Sequence, residues 1–177
     1  MIFESSQTAK NLKRAFLAEC RCCVRYIIYS RQAKADGFEQ IAEIFRQTAA
    51  NDMTHAKLLL GWDGKTPGFT SENLSIAHTE KEKLKARYAQ YSITAVKEGY
   101  NCLAKLFERL ADIEQAHRER FFILRENMDT AKIFCKDRRQ TWVCRVCGHE
   151  SRGQCSDRVC PVCGRQQAFT QIKGENY

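Results

Sequence analysis

The sequence predicts a mainly α protein: a four-helix bundle followed by a small four-cysteine metal domain. Three observations carry this. Apolar residues recur every three or four positions from Ser6 to Met128, the only two prolines are Pro67 and Pro161, and two Cys-x-x-Cys-Gly pairs stand near the carboxyl end. Glycines at Gly37, Gly61, Gly64, Gly68 and Gly99 cut the helical part into segments of roughly 6–35, 38–60, 72–97 and 100–128, with Gly61 to Gly68 as the long loop. The expected domains are a bundle over 1–130, a linker over 131–141 and a metal domain over 142–177.

Taken in order, the first segment has an apolar stripe of Leu12, Phe16, Glu19, Cys23 and Tyr26 or Ile27, in which Glu19 occupies a core position. The second runs Phe38, Ile41, Phe45, Thr48, Asp52, His55, Leu59, and the third Ala77, Glu80, Leu84, Tyr88, Tyr91, Ala95. The fourth runs Leu103, Phe107, Leu110, Glu114, His117, Phe121. Asp52 with His55, and Glu114 with His117, place an acid and an imidazole three residues apart on one helical face. The second and fourth segments repeat each other without a gap, from Gly37-Phe38 and Gly99-Tyr100 to His55 and His117. The first and third match less well, with Glu19 then Tyr26 against Glu80 then Tyr88, one residue out of step.

Four carboxylates and two histidines on inward stripes are unfavourable unless something neutralises them, and two divalent cations would do so. Oxygen and imidazole donors suit iron or manganese, and an acid from each of two helices plus an acid-x-x-His from the other two is a di-metal arrangement of helical bundles. At the tail, Cys144, Cys147, Cys160 and Cys163 have the spacing that grips one tetrahedral ion, and Gly148 and Gly164 permit the left-handed turn that aims backbone N–H groups at sulfur. Thiolate ligation accommodates iron or zinc, and zinc stays open for either site.

Composition narrows the classes. No stretch approaches the ~20 apolar residues of a membrane span. The start, Met1-Ile2-Phe3-Glu4, does not resemble a secretory signal, so a cytoplasmic address is expected, with the ten cysteines as free thiols open to metal binding or redox work instead of a disulfide framework. The formal charge of +8 is scattered among acids, which disfavours nucleic acid, and Lys81, Lys83, Lys85 and Arg87 read as a solvated face. Cys23, Cys102, Cys135 and Cys155 read as small packing residues, and His78 and His149 as solvated.

Ala18-Glu19 with Arg25-Tyr26, Gly37-Phe38-Glu39-Gln40-Ile41, His55-Ala56-Lys57, Glu80 with Tyr88, Glu114-Gln115-Ala116-His117 and Trp142 through Cys163 together resemble the rubrerythrin family. The resemblance implies a ferritin-like diiron bundle with a rubredoxin-like iron domain, and a peroxidase that reduces hydrogen peroxide in oxidative stress defence. It implies Glu19, Asp52, His55, Glu80, Glu114 and His117 as diiron ligands. Asp52 and Glu114 would bridge, and Tyr26 and Tyr88 would hydrogen-bond the carboxylates. Two positions depart from the family pattern: Asp52 replaces a glutamate, and Lys83 stands where a second glutamate is expected on the third helix.

The expected function is a non-haem diiron peroxide reductase. Its four-cysteine iron relays electrons from an external donor, such as a rubredoxin or an NAD(P)H-dependent reductase, within a homodimer. Two alternatives are an electron carrier or redox sensor with an impaired diiron site, and a zinc-ribbon protein binding nucleic acid.

Overall fold

The computed structural model describes residues 3–64 and 66–174. The chain divides into two compact units, 1–67 and 68–177. The first unit is a helical hairpin of α1 (Gln7–Ala35) and α2 (Glu39–Trp62). The second carries the hairpin of α3 (Thr70–Lys97) and α4 (Asn101–Asp129) and then the strands β1 (Cys135–Cys144), β2 (Glu150–Cys155) and β3 (Thr170–Ile172). All four expected helices are present. β1 begins at Cys135, so most of the interval expected as linker, 131–141, is strand.

Both hairpins turn in the same way. Gly37 and Gly99 adopt φ of +87° and +83°. In each turn the residue after the glycine donates back to the last helical turn: Phe38 N–H to the Ala33 carbonyl and Tyr100 N–H to the Ala95 carbonyl, both at 2.8 Å. This is the Schellman arrangement, which satisfies end carbonyls and needs a left-handed residue where glycine carries no Cβ penalty. At the start of α1, the Ser6 hydroxyl accepts the Ala9 N–H at 3.1 Å; at the start of α3, the Glu72 carboxylate accepts the Phe69 N–H at 3.0 Å.

Small residues set how the helices pack. Ala42, Ala49 and Ala56 recur every seven residues along α2 and are all buried, as are Ala104 and Ala111 on α4. With no bulk beyond Cβ, they let the facing helix approach closely. Ile41, Ile44, Leu103 and Leu106 point elsewhere and are exposed.

The aromatic contacts fix the register of the duplication. Tyr26 and Tyr29 pack on Phe45 at 5.9 and 5.7 Å, and Tyr88 and Tyr91 pack on Phe107 at 6.1 and 5.5 Å. Each member of the second trio lies 62 residues after its counterpart in the first. The same offset relates Gly37 to Gly99, Ala33 to Ala95, Asp52 to Glu114 and His55 to His117. The repeat therefore runs without a gap through both helices of each hairpin, and Glu19 corresponds to Lys81.

The strands form an antiparallel sheet in the order β2-β1-β3. Trp142 lies opposite Ser151 on one side and Ile172 on the other, is almost fully buried, and donates its indole N–H to the Gly153 carbonyl at 3.1 Å. A large apolar ring whose one polar atom is satisfied is well suited to a core this small. Cys135 and Cys155, expected as unpaired packing residues, face each other across β1 and β2 and form a disulfide. Their cross-strand pairing was not legible before the strands were placed.

Candidate metal centres

The four-cysteine site is complete within one short segment. β1 delivers Cys144, the turn after it Cys147, and the second knuckle Cys160 and Cys163. Gly148 and Gly164 have φ of +77° and +70°, as the Cys-x-x-Cys-Gly pattern requires. Cys144 and Cys163 sulfurs lie 3.7 Å apart, and those of Cys147 and Cys160 3.6 Å apart. A tetrahedron with metal–sulfur bonds of ~2.3 Å has edges of about 3.8 Å, so the four sulfurs fit one iron or zinc ion.

The backbone prepares these sulfurs. N–H groups of Cys147 and Val146 directed at the Cys144 sulfur bring its thiol down to about 6. The N–H of Cys163 lowers Cys160 in the same way. At Cys147 the N–H of His149 also favours the thiolate, but burial and the sulfurs of Cys163, Cys160 and Cys144 outweigh it and push the thiol up to about 12. A cation would relieve that crowding of like charge. His149, expected as solvated, is half-buried and supplies backbone on both sides: its carbonyl accepts the Cys144 N–H at 2.9 Å.

The helical carboxylates form one half-site in each hairpin. In the first, ligand atoms of Glu19, Asp52 and His55 lie within 4.8 Å of one another, and His55 Nδ1 is 3.4 Å from Glu19 Oε2. Asp52 is buried, and its Oδ2 has no hydrogen-bond partner among the described residues. A buried, unpartnered carboxylate oxygen beside a second carboxylate and an imidazole is a costly arrangement alone and a good one around a divalent cation.

The second half-site is built differently. Glu114 is as buried as Asp52, and His117 Nδ1 lies 3.5 Å from its Oε2, but the third group is an ammonium: Lys81 Nζ is 2.8 Å from Glu114 Oε2. Lys81 holds the Glu114 carboxyl below its usual range despite burial. Glu80, expected on the inward stripe, is exposed, and so is Lys83. The inward stripe of α3 passes through Leu74, His78, Lys81, Lys85 and Tyr88, each half-buried. A single residue of slippage in reading α3 hid Lys81, and the 62-residue offset from Glu19 was the signal that would have found it.

Around the first half-site, Cys23 is buried as expected. Tyr26 lies beside Cys22, whose sulfur is the chief cause of a raised phenol pKa. Tyr88 holds the equivalent position in the second hairpin through its contact with Phe107. His78 packs its ring 5.9 Å from Phe122. Cys102 is exposed, which makes it a surface thiol instead of a packing residue.

The rubrerythrin family model matches residues 10–68 and 72–145. The chain belongs to the rubrerythrin family. It is 35% identical to Rubrerythrin-1 of Clostridium acetobutylicum, with 98% of each chain covered, and 30% identical to the rubrerythrin of Nitratidesulfovibrio vulgaris, again over 98% of each. Nigerythrin of the latter organism is 27% identical over 92% of this chain and 85% of its own. A solved structure of nigerythrin in a mixed-valent state matches 98% of this chain and 92% of that one at 24% identity, with a TM-score of 0.34.

Rubrerythrins are oxidoreductases that bind a diiron centre and a four-cysteine iron, and this chain carries donor groups for both kinds of site: the cysteine quartet and the Glu19, Asp52, His55 group. No helix among the described residues is long and apolar enough to cross a membrane.

Proposed function

We propose that this rubrerythrin is a peroxide reductase, in which thiolate-held iron at the cysteine quartet passes electrons to metal held by the helical carboxylates and histidines. The observation that carries the reading is the Asp52 carboxylate, buried with an unpartnered oxygen next to Glu19 and His55. Metal bound there would supply Lewis acidity and electrons for the two-electron, two-proton cleavage of hydrogen peroxide to two waters.

The chain's own residues have distinct parts in that proposal. Asp52 and Glu114, the two carboxylates buried among the described residues, provide negative charge that solvent screens only weakly. Glu19 adds a second carboxylate at the first half-site, and His55 and His117 add neutral nitrogen donors. Glu80 is left out of the ligand set because it is exposed and, unlike the also exposed His55, joins no cluster of ligand atoms among the described residues. Tyr26 and Tyr88 close the aromatic side of each hairpin with hydroxyls available to orient carboxylates. An external electron donor, such as a rubredoxin or an NAD(P)H-dependent reductase, would reduce the cysteine iron. A homodimer would let one chain's cysteine iron serve the other chain's helical site, and the address is cytoplasmic.

The Lys81–Glu114 ion pair favours a second reading, an electron carrier whose helical site is only partly loaded. One experiment separates them. Iron-supplied protein, purified without oxygen, is assayed for iron per chain and for peroxide-dependent oxidation of its reduced chromophore. The peroxidase reading expects bound iron beyond the cysteine site and turnover that Asp52→Asn abolishes. Reoxidation by peroxide at the same rate in Asp52→Asn would sink it in favour of the carrier.

A further inference from the structure

Resting on the reading that the helical carboxylates hold metal, we propose that Lys81 is a specificity-determining residue that makes the two half-sites unequal. Glu19, Asp52 and His55 fill first with a divalent cation. Glu114 and His117 fill only as the Lys81 ammonium is displaced.

The aromatic trios, the glycine turns, the acids and the histidines all repeat at an offset of 62, and at that offset the counterpart of Glu19 is Lys81. The substitution removes one oxygen ligand and adds one positive charge at a position the fold directs toward α4. Counting formal charges with neutral imidazoles, a cation meets two carboxylates at the first half-site, whereas at the second Lys81 already cancels Glu114.

Geometry agrees with the count. Asp52 Oδ2 and Glu114 Oε2 are both buried without a hydrogen-bond partner of good geometry among the described residues, but Glu114 Oε2 has the Lys81 ammonium at 2.8 Å as a counter-ion. A cation entering the first half-site satisfies an oxygen that has nothing else; one entering the second must take Glu114 from an existing counter-ion. The long aliphatic stem of lysine allows its head to swing toward solvent, so the second half-site is weakened and not closed. Lys83 has no part in this, since it is exposed on α3.

The test is Mn(II) binding to the full chain with the cysteine quartet filled by Zn(II). Free Mn(II) is followed by electron paramagnetic resonance, and manganese suits oxygen and imidazole over thiolate. Wild type is expected to bind one Mn(II) per chain tightly and a second at least about tenfold more weakly. Lys81→Glu should tighten the second event by about tenfold or more, Lys81→Met by less, and Lys83→Glu should change neither.

Two equal events in the wild type, or an unchanged second event in Lys81→Glu with its helical circular dichroism intact, would overturn the proposal while leaving the metal reading standing. Absence of Mn(II) binding in wild type and both Lys81 variants would overturn the metal reading together with it. Should Lys81→Glu fail to fold, Lys81→Met decides: no tightening of the second event sinks the proposal.

Discussion

The cysteine domain and the helical hairpins solve the same problem, holding a cation, by opposite means. At the tail, all four ligands come from 20 consecutive residues, and backbone N–H groups within the knuckles aim at the sulfurs. In the hairpins, Glu19 and His55 are separated by 36 residues and meet only because two helices pack in register. A site made of local turns carries its geometry in its spacing. A site made of helix faces depends on register, and one changed side chain can alter its charge while the fold persists, as Lys81 shows.

The largest expected effect tests the local site. Cys144→Ser removes one of four thiolates from a short segment held by its metal and by the Cys135–Cys155 disulfide, and structural zinc sites contribute on the order of 10 kcal/mol to such domains. We expect this variant to lose the metal of the quartet and the protected amides of β1 and β2, while α1 and α2 stay folded. Hydrogen exchange read strand by strand checks it; full protection of β1 without metal would show that the sheet stands alone.

Next in size is Trp142→Ala, which empties the centre of the sheet and frees the Gly153 carbonyl. Large-to-small changes at buried aromatic positions cost roughly 3–5 kcal/mol. The cost should appear as a lowered midpoint for loss of the thiolate-to-metal absorption, with helical ellipticity unchanged. If the helical signal melted first, the boundary between the two kinds of structure would be misplaced.

How much of this was legible in the sequence divides along the same line. The quartet, the left-handed turns at Gly148 and Gly164 and the four helices followed from spacing, because each depends on neighbours a few residues apart. The acid and histidine pairs on α2 and α4 followed for the same reason. The inward stripe of α3 did not: Glu80 and Lys81 are adjacent, helical periodicity alone admits either, and it takes the 62-residue offset, borne out by the packing of Tyr88 on Phe107, to choose Lys81. The disulfide between Cys135 and Cys155 was illegible too, since it depends on cross-strand register over a 20-residue separation. Expecting these two cysteines to be unpaired packing residues gave the wrong state for that pair.

A third prediction concerns pH. Cys144 lies near 6 and Cys147 near 12 before metal binds, and both must be thiolates afterwards. Above pH 6 Cys144 has already lost its proton, while Cys147 still carries one and must release it. The apparent affinity for Zn(II) should therefore rise with pH, by about tenfold per unit for each proton released, and the dependence should steepen below pH 6, where Cys144 also takes up a proton. Competition with a chelator between pH 5 and 9 measures the slope. A flat profile would mean that the backbone N–H groups hold all four sulfurs as thiolates without metal.

The smallest effect sharpens the contrast from the helical side. In the metal-free protein, Asp52 places an unpartnered oxygen in a buried position, and a group left without its hydrogen bond costs ~1–3 kcal/mol, more when charged. Asp52→Asn keeps the shape and removes the charge, so we expect it to stabilise the metal-free chain by about 1 kcal/mol, read from the denaturant midpoint of the helical signal. With Mn(II) present the order should reverse, because a ligand that binds only the folded state adds stability that grows with the logarithm of its concentration relative to its Kd. A residue kept for packing alone would give the same sign with and without metal. Opposite signs require that the fold bears a cost at Asp52 which only a cation repays.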